Sequence, residues 1–462
     1  MRVPFAPATL SMSRPLLQRP RRLLALALGL AVLCSSCVST TARHVAAVGQ
    51  FEAGRFDEAR TGFEDKRTIG SPFLRGAEVG MVELTRGNWD EAQRALDGAV
   101  DAVRELEERA LIGPANLGEA VGSLVINEGV KDYQGEGYER VQVHNALALT
   151  YLARGNLDGV YVETRRANKL LETEEGLYQK KYAAGGFGHL LSAVSYELQG
   201  RYDEAFIDYK RMAEKELGLE LAGRALVRIA ARLRYDDELP GLVERFGEPS
   251  KLPQDAASIV VLGGLGLGPY KVEDTVALMT PAGLAQFSVP RFVPRPGLAS
   301  SFELVVDDGA PLRTSQVENV NDVAARNLED RMGWLAARSA LRGAMKLIAT
   351  NAVAESVRRN NGDAAGVAAL LVGSLLTAAT ERADTRCWFT LPAEWHAARM
   401  WVAPGEHAIR LRAVGGDSVS LGTIRLAPGE TLVILARTLG PRIHAHSVGG
   451  ETVAAAPTTP QP

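Results

Sequence analysis

Thiols, aromatic rings and net charge are all scarce in this sequence. Its 462 residues include three cysteines, Cys34, Cys37 and Cys387, aromatic residues make up 6%, and 52 Lys+Arg nearly balance 55 Asp+Glu. Three cysteines so placed give no disulfide framework, so the fold must hold by its core alone. Near-neutral charge without basic clusters excludes a nucleic-acid surface of the usual kind. The seven histidines form no H-E-x-x-H, and there is no G-x-S-x-G elbow. The sequence therefore assigns no metal site, cofactor or catalytic residue, and it reads as non-enzymatic.

Long apolar runs are also missing. Leu23 to Leu33 is charge-free for eleven residues and Ala364 to Thr380 for seventeen. A helix crossing the hydrocarbon core needs about 20 apolar residues, so the first run is too short to span. Arg14, Arg19, Arg21 and Arg22 precede it, giving the charged and apolar regions of an export signal. Ser35-Ser36-Cys37 then resembles the lipobox of bacterial lipoproteins, although Cys34 stands where that motif prefers Leu. The resemblance implies a signal peptide over 1–36, lipid on Cys37 and a tether over 37–43. With Val38 and Ser39 following, it also implies an outer-membrane lipoprotein facing the periplasm. A start at Met12 would give the signal a more usual length.

Four short stretches then share one pattern: GRFDEA from Gly54, GNWDEA from Gly87, GNLDGV from Gly155 and GRYDEA from Gly200. The glycines lie 33, 68 and 45 residues apart, the middle gap being two periods of 34. Glycine permits a tight turn, and Ala59, Ala92 and Ala205 let helix backbones approach. Phe63, Leu96 and Tyr209 sit four residues beyond each alanine, on the same helical face. The pattern resembles tetratricopeptide helical hairpins. It predicts a helical domain over 44–250, with an insertion between Ala110 and Tyr138. Stacked repeats of this type commonly bind another protein.

Composition changes after Pro253. ASIVVLGGLGLGPYK, from Ala257, begins as a strand and turns through closely spaced glycines; without Gly-Lys-Ser/Thr it is not a phosphate loop. A β-rich segment over 251–321 is expected, then a helical segment over 322–383. The charge-free run at 364–380 reads as a helix buried against its neighbour, with membrane contact as the other reading. Two APGE turns, at Ala403 and Ala427, each introduce alternating residues, which predicts a small antiparallel β module over 384–445. The Pro- and Thr-rich end, 446–462, is expected to be disordered. The fold class is thus α+β: an N-terminal α-solenoid, then strands, two helices and a small antiparallel sheet or sandwich.

Asp384, Arg386, Trp388, Glu394, Trp395 and Arg399 make an unusually dense group of acids, arginines and tryptophans. Such a group can recognise a ligand or stack on a sugar face, or it can join two parts of the fold through buried ion pairs. His444 and His446 read as surface residues, and Cys387 lacks a base beside it, although His396 is a candidate neighbour in space. The export signal, the repeats, GGLGLGPYK and DTRCWFTLPAEWHAARMWVAPGEH together resemble an uncharacterised family of bacterial tetratricopeptide lipoproteins. That resemblance implies a scaffold partnered with another envelope protein, linked to peptidoglycan synthesis. A cell-wall glycan-binding or glycan-processing role through Trp388 and Trp395 is the alternative.

Overall fold

The computed structural model describes residues 43–112, 132–178, 184–253, 255–280, 283–380 and 382–453. The signal segment, Cys37 and the core of the expected insertion at 113–131 lie outside these residues.

An all-helical region comes first: α1 (43–52), α2 (Phe56–Glu64), α3 (Pro72–Arg86), α4 (Trp89–Ile112), α5 (Gly137–Ala153), α6 (Leu157–Tyr178), α7 (Gly186–Leu198), α8 (Tyr202–Glu214), α9 (Leu219–Leu233) and α10 (Leu239–Phe246). Local chemistry explains the ends. Ser71 accepts from Leu74 N–H, Pro72 occupies the first turn of α3, and Gly87 closes it in the left-handed conformation. Gly54, Gly87, Gly155 and Gly200 all have φ between +70° and +89°, where a side chain would be strained. Five residues beyond each, Ala59, Ala92, Val160 and Ala205 are fully buried, so the small or compact side chains sit where helices meet.

Two five-stranded sheets follow. The strands are β1 (Ala257–Leu265), β2 (Tyr270–Thr280), β3 (Gly283–Val293), β4 (Phe302–Val306), β5 (Leu312–Arg313), β6 (Ser315–Asn319), β7 (Glu394–Val402), β8 (Gly405–Ala413), β9 (Ser418–Leu426), β10 (Thr431–Leu439), β11 (Arg442–Val448) and β12 (Glu451–Val453). One sheet runs β11-β10-β1-β7-β6 and the other β12-β9-β8-β4-β5, while β2 and β3 form a separate hairpin.

Alternation along the strands makes three layers. Ile259 and Val261 of β1 join Leu432 and Ile434 of β10 against Phe302, Leu304, Ile409 and Leu411 of the second sheet. The intervening residues, Val260, Leu262, Val433, Leu435, Trp395 and Ala397, face the helices and share their core. The first sheet is thus buried on both sides, which explains the continuous apolar run of β1.

Three expectations are corrected by this topology. The segments 251–321 and 384–445 are not separate modules, because β1 lies between β10 and β7 in one sheet, and β10 pairs with it in parallel. Residues 446–453 are not a disordered tail: Val448 closes a ladder with Val433, and β12 pairs with β9. Such pairings join residues far apart in sequence and leave no local trace.

The third correction concerns the helical segment, inserted between β6 and β7 as α11 (Val320–Asn361) and α12 (Asp363–Thr380). Asn319 caps α11, and Gly362 at φ +88° reverses the chain. Gly366 then packs beside Arg358 and Gly373 beside Thr350, so α12 runs back along α11. Over 364–373 the expected burial fails: Val367, Leu371 and Val372 are more than half exposed, because α11 and β3 cover only part of the helix. Trp334, Leu341 and Ile348, seven residues apart on α11, are exposed as well. Among the described residues, no helix is long and apolar enough to cross a membrane.

Candidate functional site

The six residues singled out in sequence are distributed along the seam between helices and sheet. Asp384 and Arg386 pair with each other at 2.7 Å, and the Arg386 guanidinium lies 5.0 Å from the Tyr133 ring centroid. Glu394 pairs with His396 at 2.9 Å. Trp395 stacks flat on Phe187, centroids 3.9 Å apart, and its indole N–H donates to Gln142 at 3.0 Å. Trp388 is 1% exposed and its indole N–H donates to Thr390. Neither tryptophan offers a face to a sugar, so the glycan role expected of them lacks its stacking surface.

The strap around Trp388 is held by charges that sequence reasoning missed. Trp388 N–H donates to Glu139 at 2.7 Å, and Phe389 and Thr390 N–H donate to Glu78 at 2.7 and 3.0 Å. From the other side, Arg295 donates to the Phe389 carbonyl and Arg437 to the Thr390 carbonyl. Glu318 of β6 works in the opposite direction, accepting from Phe187 N–H of α7 at 3.0 Å and from Gln142. Burial pushes the carboxyls of Glu139 and Glu318 above the ordinary range. A glutamate within an apolar helical run, as in AEVGMVELT around Glu78, was the available signal.

Cys387 belongs to this strap. It is fully buried, and burial, reinforced by the nearby Glu139 charge, pushes its thiol up to about 12. Such a thiol stays protonated and unreactive at neutral pH. His396 bonds instead with Glu394 and Thr314. Lys271, next to the glycine-rich turn, is buried in an ion pair with Glu136, a structural use of the lysine.

The histidines of β11 are also corrected: they pack on the turn glycines. His444 meets Phe56 edge to face at 5.0 Å and lies against Gly54. His446 meets Trp89 at 5.1 Å, bonds the Thr85 carbonyl at 3.0 Å and covers Gly87 so closely that an added Cβ would lie 2.5 Å from its ring. Two of the four turn glycines therefore admit a strand as well as a turn.

Of the six residues, Trp395 borders a small cavity and Arg399 reaches a larger cleft. This cleft, about 140 Å³, lies between α7–α9 and the first sheet, and its lining includes Leu221, Leu252, Arg224, Arg228, Arg313, Arg399 and Trp401. Glu197 of α7 accepts from Arg399 Nη1 through both oxygens at 2.7 Å and from Arg228 at 2.6 Å. Burial draws the Glu197 carboxyl upward, but the two guanidiniums prevail and hold it at about 2. Both guanidiniums also lie over Trp401, at 5.1 and 5.7 Å. Nearer the surface, Arg224 pairs with Glu220 and Arg313 with Glu303.

Four guanidiniums thus face three carboxylates, because Glu197 is shared by two arginines, and Glu303 is drawn on by Arg412 as well. The Tyr209 hydroxyl at the cleft donates to Glu197 at 2.7 Å and is committed there. The arrangement supplies charge-assisted hydrogen bonds beside an apolar wall, which suits a carboxylate attached to an apolar group. Among the described residues, no group of three or more His, Cys, Asp or Glu is placed to hold a metal. No protein-family model, curated protein or solved structure matches the chain.

Proposed function

We propose that this protein is a non-enzymatic scaffold of the bacterial outer membrane, facing the periplasm, that binds another envelope protein. In this reading Cys37 carries the lipid, and the helices of 43–246 are a tetratricopeptide-like solenoid. The regular left-handed glycines and the buried small residues beyond them support the repeat reading.

The observation that carries the proposal is the arginine-lined cleft between α7–α9 and β7. Its occupant is a segment of the partner presenting an acidic group next to an apolar side chain. Arg224 and Arg313 meet the acid first, and Trp401 with Leu221 and Leu252 receives the apolar part. The link to peptidoglycan synthesis rests on the family resemblance and names the class of partner to look for. Crosslinking in cells, followed by mass spectrometry, tests the proposal: one partner, recovered with the wild type and lost when the cleft is altered, is expected. The anchor is tested separately by Cys37→Ser, which should release the protein from the membrane fraction.

A further inference from the structure

Buried between the first sheet and the helices is an arginine without a counter-charge. Arg437 of β10 is 4% exposed and donates through Nη2 to the Thr390 carbonyl. Its Nε and Nη1 have no hydrogen-bond partner among the described residues. No carboxylate there lies within ion-pair distance of it or of the neighbouring buried Arg295. Glu78 is the acid on the strap they share, and it is engaged by the Phe389 and Thr390 amides. Arg295 feels the charges of Glu78 and Glu52, whereas the charge felt by Arg437 is that of Arg295, a like charge.

Arg437 also borders open space on the helical side of the sheet. Arg437 lines a cavity of about 30 Å³ with Leu262, Leu435, Trp395, His444 and His446. His444 Nε2 likewise has no partner among the described residues. Register makes this a cross-strand row, because Arg437 is opposite Gly264 on β1 and His444 on β11. A Cβ on Gly264 would fall 2.9 Å from Arg437 Nη1 and 3.0 Å from Pro392, so glycine leaves the guanidinium its room. Gly264, which follows Gly263 within β1 in the GGLGLG stretch, thus has a use that a turn does not require.

We propose that this cavity binds a small monovalent anion of halide size, held by the Nε and Nη1 hydrogens of Arg437. A water molecule fits a space of this size, since about 10–15 Å³ suffices, but it leaves the buried charge uncompensated. An anion satisfies both the donors and the charge, and the apolar wall excludes a strongly hydrated polyanion. Burial and the charge of Arg295 lower the Arg437 pKa to about 9, which is the strain that a bound anion relieves. The site lies away from the arginine cleft and does not depend on the scaffold reading.

Crystals grown or soaked in sodium bromide, with data collected at the bromine edge, test the site directly. An anomalous peak within hydrogen-bond distance of Arg437 Nε or Nη1 is expected. In solution, the unfolding midpoint of the full chain should be several degrees higher in sodium chloride than in sodium gluconate at equal ionic strength. Arg437→Met should lose that difference, and His444→Leu, which keeps the guanidinium, should retain it. Water density alone at Arg437, with equal midpoints in the two salts, would overturn the proposal even if Arg437→Met fails to fold.

Discussion

Glu197 on α7 receives Arg399 of β7 through both carboxylate oxygens at 2.7 Å, across the seam between the helical region and the sheet. Arg228 of α9 and the Tyr209 hydroxyl of α8 reach the same carboxylate, so one buried acid joins four elements. Removing it leaves two desolvated guanidiniums, and breaking a buried pair costs about 3–5 kcal/mol. Glu197→Gln should therefore lower the stability measured by urea unfolding by that order. An unchanged midpoint would mean that the seam is held elsewhere.

The same residue fixes a pH dependence. Its folded pKa of about 2 lies below the roughly 4.3 of a free glutamate, so its stabilisation is complete above the unfolded value and is lost as pH falls from there toward 2. The gap in stability between wild type and Glu197→Gln should be constant from pH 5 to 7 and shrink below about pH 4. Urea titrations across that range check it; a gap independent of pH would contradict the ionised carboxylate.

The turn glycines separate strain from packing. Gly155 has φ +70° and open space around it, so Gly155→Ala should cost about 1–2 kcal/mol through the backbone alone. Gly87 has φ +89° and His446 against it, so Gly87→Ala should cost about 1–3 kcal/mol more. A double-mutant cycle with His446→Ala should recover that excess and leave the backbone part. Equal costs at the two glycines would show that β11 does not press on the Gly87 turn.

The strap makes a third case. Glu78→Ala leaves the Phe389 and Thr390 amides without their acceptor, at about 1–3 kcal/mol for each buried donor. Thermal unfolding should report the loss, and a chain with Cys34 and Cys37 replaced by serine should then show faster labelling of Cys387 by a thiol reagent. In the otherwise native fold Cys387 should resist labelling until the protein unfolds, given its burial and a pKa of about 12. Rapid labelling of the folded chain would place the thiol at the surface.

What was legible in the sequence follows the range of the interactions. The left-handed turns at Gly54, Gly87, Gly155 and Gly200 depend on neighbouring residues, and the motif shows them. The strand at Ile259 to Leu262 and the long helix after Asn319 were visible for the same reason. The pairing of Ser258 with Thr431 was not, since nothing local records which strands become neighbours. Arg399 and Trp388 stood out by residue type, yet their roles came from Glu197, Glu139 and Glu78, acids that look like ordinary helix residues until the helical face is known. The exposed side of α12 misled because a charge-free run resembles a buried helix whether or not a second layer covers it.

Binding of an acidic, partly apolar partner segment in the arginine cleft is tested most directly by in-cell crosslinking of wild type beside Arg224→Glu and Trp401→Ala, with folding of each variant verified by circular dichroism. One envelope protein captured by the wild type and lost from both folded variants is the predicted result. Equal capture by all three, or no capture above background by the wild type, would contradict the cleft as the scaffold's binding site.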